Sequence, residues 1–188
     1  DDANNQDGKR LDSVEAELYA EGQPTGNKVT LDEKNSWKAS FAKVDVKKDG
    51  KRINYTVKTT ENKDYTITTT GNVLDDNGVV VTYKHVPETV NVSIKSTWND
   101  ANNQDGIRPA TISVQLMKDD KEEGDNINLK IASPKTWSNL PKYANGKEIK
   151  YAVAISDVSG YTKKVTGSVA DGYVAAFTHS VYKTSVVV

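Results

Sequence analysis

Asp2-Ala3-Asn4-Asn5-Gln6-Asp7-Gly8-Lys9-Arg10 returns almost unchanged as Asp100-Ala101-Asn102-Asn103-Gln104-Asp105-Gly106-Ile107-Arg108. The distance from Asp2 to Asp100 is the length of one small domain, and too long for a solenoid unit of about 20 to 50 residues. The recurrence therefore reads as two tandem domains. Both stretches are loop chemistry, because Asn, Asp and Gly tolerate left-handed backbone and cap their own turns. Each runs into an alternating strand pattern, Val14-Ala16-Leu18 in the first copy and Ile112-Val114-Leu116 in the second.

Outward from these loops the pattern stays at period two. Ile53-Tyr55-Val57 and Ile149-Tyr151-Val153-Ile155 alternate, and Thr66-Ile67-Thr68 and Val79-Val80-Val81 are β-branched runs. Asp49-Gly50, Asn77-Gly78, Asn145-Gly146 and Asp171-Gly172 punctuate them as turns. Short strands broken every 8 to 12 residues or so predict antiparallel sandwiches. Trp37 aligns with Trp137 and Tyr55 with Tyr151, with four fewer residues between them in copy two, so a strand end or hairpin is expected to be shorter there. Trp37, Trp98, Trp137, Tyr55 and Tyr151 are the expected core anchors, since large aromatics dominate such cores.

Composition narrows the function. The chain has 188 residues, 36% hydrophobic and 27% charged, with a net charge of −1. Interleaved charge offers no basic footprint for nucleic acid, and no apolar run reaches the roughly 18 residues of a membrane span. With no cysteine, thiolate catalysis, disulfides and zinc–thiolate sites are excluded. His85 and His179 are the only histidines, too few for a metal or triad constellation, and are expected to line strand ends. No cofactor, metal or catalytic residue can be placed. The duplicated loop admits two readings, a structural turn or a cation site. The neutral, offset set Asp2, Asn4, Gln6 and Asp7 fits calcium-loop spacing poorly, which favours the turn. Asp75-Asp76-Asn77-Gly78 and Asp119-Asp120-Lys121-Glu122-Glu123 read as solvated hairpin tips.

Val90-Asn91-Val92-Ser93-Ile94-Lys95-Ser96-Thr97-Trp98 forms a strand ahead of the second loop, and nothing equivalent precedes the first. Copy one, residues 1–88, is therefore expected to expose an unpaired edge and part of its core. Copy two spans 89–182. Residues 183–188 read as the first strand of a following repeat, or as a strand donated head to tail to another molecule.

Trp98-Asn99-Asp100-Ala101-Asn102-Asn103-Gln104-Asp105-Gly106-Ile107-Arg108-Pro109 resembles the opening of the B-type (Cna-B-like) repeats of the staphylococcal collagen adhesin. Asn35-Ser36-Trp37, Asn139-Leu140-Pro141-Lys142-Tyr143, Gly146-Lys147-Glu148-Ile149-Lys150-Tyr151 and Gly160-Tyr161-Thr162 extend the resemblance over both copies. It implies two tandem inverse immunoglobulin-like (prealbumin-like) β-sandwiches. The implied role is a stalk on an extracellular, cell-wall-anchored Gram-positive surface adhesin, with neighbouring repeats as partners. The competing reading is an adhesive module for a host matrix protein or glycan, and an enzymatic reading has no residue to carry it.

The resemblance also implies a self-made Lys–Asn isopeptide bond promoted by a buried acid, whose apolar setting lowers the Lys pKa and raises that of the acid. The family Lys position is Ser96 in copy two, while alternation turns Lys95 to solvent. The acid position is Thr59 in copy one and Ile155 in copy two. The Asn position falls at Tyr83, and at Thr178 or His179. None of these residues has the required chemistry, so the crosslink is expected to be missing from both copies.

Overall fold

The structure is a computed structural model and describes residues 1–186. It divides into Asp1–Pro87 and Glu88–Val188. The first unit contains β1 (Ser13–Ala20), β2 (Gln23–Asp32), β3 (Lys47–Lys48), β4 (Lys51–Arg52), β5 (Tyr55–Thr59), β6 (Thr66–Gly71) and β7 (Val79–Lys84). The second contains β8 (Thr89–Asn99), β9 (Thr111–Lys118), β10 (Lys121–Lys130), β11 (Lys135–Pro141), β12 (Tyr143–Ala144), β13 (Lys147–Glu148), β14 (Tyr151–Ile155), β15 (Thr162–Ser168) and β16 (Gly172–Thr178). The chain is all-β apart from a 3₁₀ turn at Ala3–Asn5.

Copy two is a complete sandwich. One sheet runs β11-β8-β16-β15, the other β10-β9-β14. The alternating residues of the two sheets face each other, as the period-two pattern requires. Val92 and Ile94 from β8, Ile112, Val114 and Leu116 from β9, Tyr151 and Ile155 from β14, and Ala175 and Phe177 from β16 are all buried. Trp98 stacks on Phe177 with ring centroids 4.5 Å apart, and Tyr161 meets Trp98 edge-on at 5.1 Å. Trp137 is half-buried and packs against both halves of this core.

Copy one keeps the second of these sheets as β2-β1-β5, but reduces the first to the ribbon β6-β7. Among the described residues no strand takes the place that β8 has in copy two. Nothing then pairs with the stretch that corresponds to β11, and residues 38–45 carry no strand. The four-residue difference is thus not a shorter strand in copy two. Copy two has the seven-residue β11 where copy one has irregular chain. Val14, Ala16 and Leu18 are buried as expected. Trp37 is not an anchor here. It is 39% exposed, because the neighbour it would pack against is the unformed strand. Tyr55 is half-buried and donates its hydroxyl to the Asp45 carbonyl at 2.9 Å. Tyr151, fully buried, does the same to Pro141 at 3.0 Å.

Asp49-Gly50 and Asn145-Gly146 form the two-residue turns of β3-β4 and β12-β13. Asp75-Asp76-Asn77-Gly78 lies in the β6-β7 connection, and of the second acidic cluster only Asp119-Asp120 is turn, with Lys121–Glu123 inside β10. Lys183–Val186 are without strand structure, and Val187 and Val188, part of the expected spare strand, lie outside the described residues.

Candidate functional site

The duplicated loop builds the same side-chain network twice. Ala3, Asn4 and Asn5 are all left-handed (φ 48, 59 and 58°), and so are Ala101, Asn102 and Asn103 (φ 49, 59 and 62°). Three successive left-handed residues are costly, and hydrogen bonds centred on a buried aspartate hold them. The Asp2 carboxylate accepts from the Asn5 backbone N–H at 3.1 Å and from Arg10 Nε and Nη2 at 2.7 Å each. Asn5 Oδ1 in turn accepts from the Arg10 N–H at 2.8 Å. In copy two Asp100 accepts from the Asn103 N–H at 3.0 Å, from Arg108 Nε at 2.7 Å and from Arg108 Nη2, while Asn103 Oδ1 takes the Arg108 N–H at 2.9 Å. Tyr161 adds its hydroxyl to Asp100 at 2.8 Å.

Such charge-assisted, bidentate pairs are the strong kind. The Arg10 guanidinium holds the Asp2 pKa down at about 2, and Arg108 holds Asp100 well below the usual carboxylate range. Both acids are occupied by arginine, which supports the structural-turn reading of the loop. Among the described residues no cluster of three or more His, Asp or Glu could hold a metal ion.

Each histidine belongs to its copy's loop, which the sequence reading did not foresee. His85 Nε2 lies 2.6 Å from Asp7 Oδ2 and its Nδ1 2.7 Å from the Asp64 carbonyl. His179 Nε2 lies 2.8 Å from Asp105 Oδ2 and its Nδ1 2.7 Å from the Gly160 carbonyl. The signal was present. His85 and His179 stand 94 positions apart, the same offset as the ends of β7 at Lys84 and β16 at Thr178, so the histidine is part of the repeat. Asp7 raises the His85 pKa and Asp105 raises that of His179.

A raised histidine pKa contributes stability that is full below the unfolded value near 6.5 and is lost as pH climbs through the folded value. The chain is therefore expected to melt lower at pH 8.5 than at pH 6, and a His85→Gln, His179→Gln double variant to lose that slope. Calorimetric melts across this range check it; an unchanged slope in the double variant would mean that these rings do not titrate with folding.

The first and last strands of copy two run side by side and parallel, with Ile94 opposite Tyr173 and Asn99 opposite Thr178. Ser96 sits opposite Ala175, three residues before Thr178 on β16. Ser96 Oγ donates to the Ile131 carbonyl at 2.9 Å and accepts from Trp98 Nε1 at 3.1 Å. Ile155 is buried in the facing sheet, and Thr59 pairs with Ala16 at the end of β5. Lys95 points to solvent. The buried polar residues among those described are Asp2, Asp100 and Gln115, with no lysine or asparagine.

The chain matches the Cna protein B-type domain twice, over residues 1–84 and 92–177. The chain belongs to the Cna B-type domain family. The family is an adhesin repeat domain and not an enzyme family. The chain is 38% identical over 174 residues to the collagen adhesin of Staphylococcus aureus, a match that covers 89% of this chain and 14% of that protein. Two B repeat units of the S. aureus collagen binding protein, solved by crystallography, superpose with a TM-score of 0.77 at 34% identity, over 95% of this chain and 47% of theirs. A single B repeat unit of the same protein is 32% identical over 96% of this chain and 94% of its own length, with a TM-score of 0.46. This Cna B-type chain thus spans a small part of the curated relative and about half of the two-unit structure.

Proposed function

We propose that the chain is a non-enzymatic stalk or spacer repeat of an extracellular, cell-wall-anchored Gram-positive surface adhesin, and that it works without intramolecular isopeptide crosslinks. The observation that supports this best is the parallel β8–β16 ladder. Tension enters copy two at the start of β8 and leaves at the end of β16. Because the strands are parallel, the two ends are drawn in opposite directions along the ladder, and its hydrogen bonds share the load in shear. The positions that the family resemblance assigns to the crosslink in copy two, Ser96, Ile155 and Thr178 or His179, carry no Lys, acid or Asn, which supports this reading. Resistance then rests on the ladder and on the packed rings of Trp98, Tyr161 and Phe177.

Single-molecule pulling of the chain tests this, since forced rupture follows the unfolding rate. Copy two is expected to rupture as the stronger step and to release its whole length, about 3.5 Å for each of its residues. Release cut short at β16, or an intact mass lighter than calculated by one ammonia per bond, would refute the uncrosslinked reading. A pull-down against host matrix proteins addresses the adhesive alternative; a stalk repeat retains none of them.

A further inference from the structure

A net charge of −1 over the whole chain conceals one strongly basic element. The β3-β4 hairpin reads Lys47-Lys48-Asp49-Gly50-Lys51-Arg52, four cations and one acid in six residues, and all six are exposed. Lys47 pairs with Arg52 and Lys48 with Lys51, so both cross-strand pairs set like charges directly opposite one another. Such pairs destabilise a ladder. Nothing within the protein relieves them: among the described residues the four cations enter no ion pair and no side-chain hydrogen bond.

Folding does not ask for this charge. Copy two builds the same hairpin from Tyr143-Ala144-Asn145-Gly146-Lys147-Glu148, with Tyr143 opposite Glu148 and Ala144 opposite Lys147. The turns match, with Asp49 and Gly50 at φ 51 and 76° and Asn145 and Gly146 at φ 50 and 72°. So do the bonds that close the two hairpins, from the Ile53 N–H to the Val46 carbonyl at 3.0 Å and from the Ile149 N–H to the Lys142 carbonyl at 2.9 Å. One backbone thus carries one cation and one acid in copy two, and four cations against one acid in copy one. The added repulsion serves no structural end, and an anion from outside the chain would offset it.

We propose that the β3-β4 hairpin of copy one is a docking ridge for a linear sulfated glycan, held by Lys47 and Arg52 on one face and by Lys48 and Lys51 on the other. Strand alternation divides the cations in this way, and the two members of a pair start about 5 Å apart at Cβ. A folded acidic protein would meet one face and leave the other pair unanswered, whereas a flexible polyanion can follow both. Its charges must also be dense enough to answer two cations at that spacing. A glycan with several sulfates per disaccharide meets this condition, and a phosphodiester polymer with one charge per unit does not. The hairpin offers no aromatic ring on which the bases of a nucleic acid could stack. The contact is separate from the spacer role, so its loss would leave the rupture of copy two unchanged.

Fluorescence polarisation of a labelled heparin oligosaccharide, titrated with the full chain, tests it. The wild type is expected to bind, with an affinity that falls about 50-fold between 50 and 200 mM salt if four cations are neutralised. A chain carrying Lys47→Gln, Lys48→Gln, Lys51→Gln and Arg52→Gln is expected to bind at least about tenfold more weakly, and to melt no lower, since its like-charge pairs are gone. A control carrying Lys84→Gln, Lys95→Gln, Lys130→Gln and Lys164→Gln loses the same charge elsewhere on exposed positions and is expected to stay within about threefold of wild type. Equal weakening of the two variants would show attraction to net charge alone and overturn the proposal, as would a wild type that does not bind. Inorganic polyphosphate binding as tightly as heparin would assign the ridge to phosphate polymers and also overturn it. Acetylation of the wild type gives a reading that needs no variant: heparin is expected to shield Lys47, Lys48 and Lys51 but not Lys147, and equal shielding of all four would overturn the proposal.

Discussion

Replacing Phe177 by Ala is expected to destabilise copy two by about 3 to 5 kcal/mol, the range for deleting a buried aromatic ring, whereas Trp37→Ala is expected to cost under about 1 kcal/mol. Phe177 is 0% exposed, stacked on Trp98 and touched edge-on by Tyr161. Removing it empties the centre of the sandwich and leaves Trp98 without its face contact. Loss on this scale is a large share of the stability of a domain this size. Trp37 carries the larger ring, yet it lies against an open slot and has little burial to lose. Denaturant melts of the full chain, kept dilute enough to be monomeric, check both. Equal losses for the two variants would show that copy one is closed in solution and that Trp37 is packed there.

Phe177 also shows where residue patterns stop informing. The fold was legible because period-two burial is a local property: Val14-Ala16-Leu18 and Ile112-Val114-Leu116 are inward in every case. The repeat itself carried the domain count, and Asp49-Gly50 and Asn145-Gly146 their hairpins. Anchor status is a different kind of quantity, since it depends on what stands opposite. Trp37 and Trp137 align in sequence, but only Trp137 has a strand such as β8 beside it. The strand register across β8 and β16 was equally out of reach, because a parallel pairing between distant segments leaves no local mark. Hence no pattern in the sequence announced that Ala175 lies beside Ser96. The loop's acids were readable as turn formers, while their arginine and histidine partners required the fold to bring Asp7 to His85 and Asp105 to His179.

A second pair of substitutions separates the two copies more sharply. Gly167 has φ +108°, and a Cβ there would come within 2.0 Å of the Gly172 carbonyl oxygen and 3.0 Å of Tyr173 Cα. Gly71 repeats the arrangement in copy one, with φ +86° and 2.2 Å to the Gly78 carbonyl oxygen. The collisions are with backbone, so relief requires the last strand of the copy to move. In copy two β16 is bonded on both edges, to β15 and β8, and the shift would strip one ladder or the other. Gly167→Ala is expected to cost about 2 to 5 kcal/mol, overpacking added to the left-handed backbone penalty. In copy one no strand among the described residues pairs with the second edge of β7, which carries only the bond from the Asp1 amine to the Tyr83 carbonyl near its far end. It can slide outward into the slot, so Gly71→Ala is expected to cost less than half as much. Hydrogen exchange on β7 and β16 amides in the two variants, read against denaturant melts, measures both the cost and the place where it is taken up. If Gly71→Ala proves as damaging as Gly167→Ala in dilute monomer, β7 is already held on its second edge. If Gly167→Ala is harmless, β16 is not the rigid, doubly bonded strand through which copy two carries load.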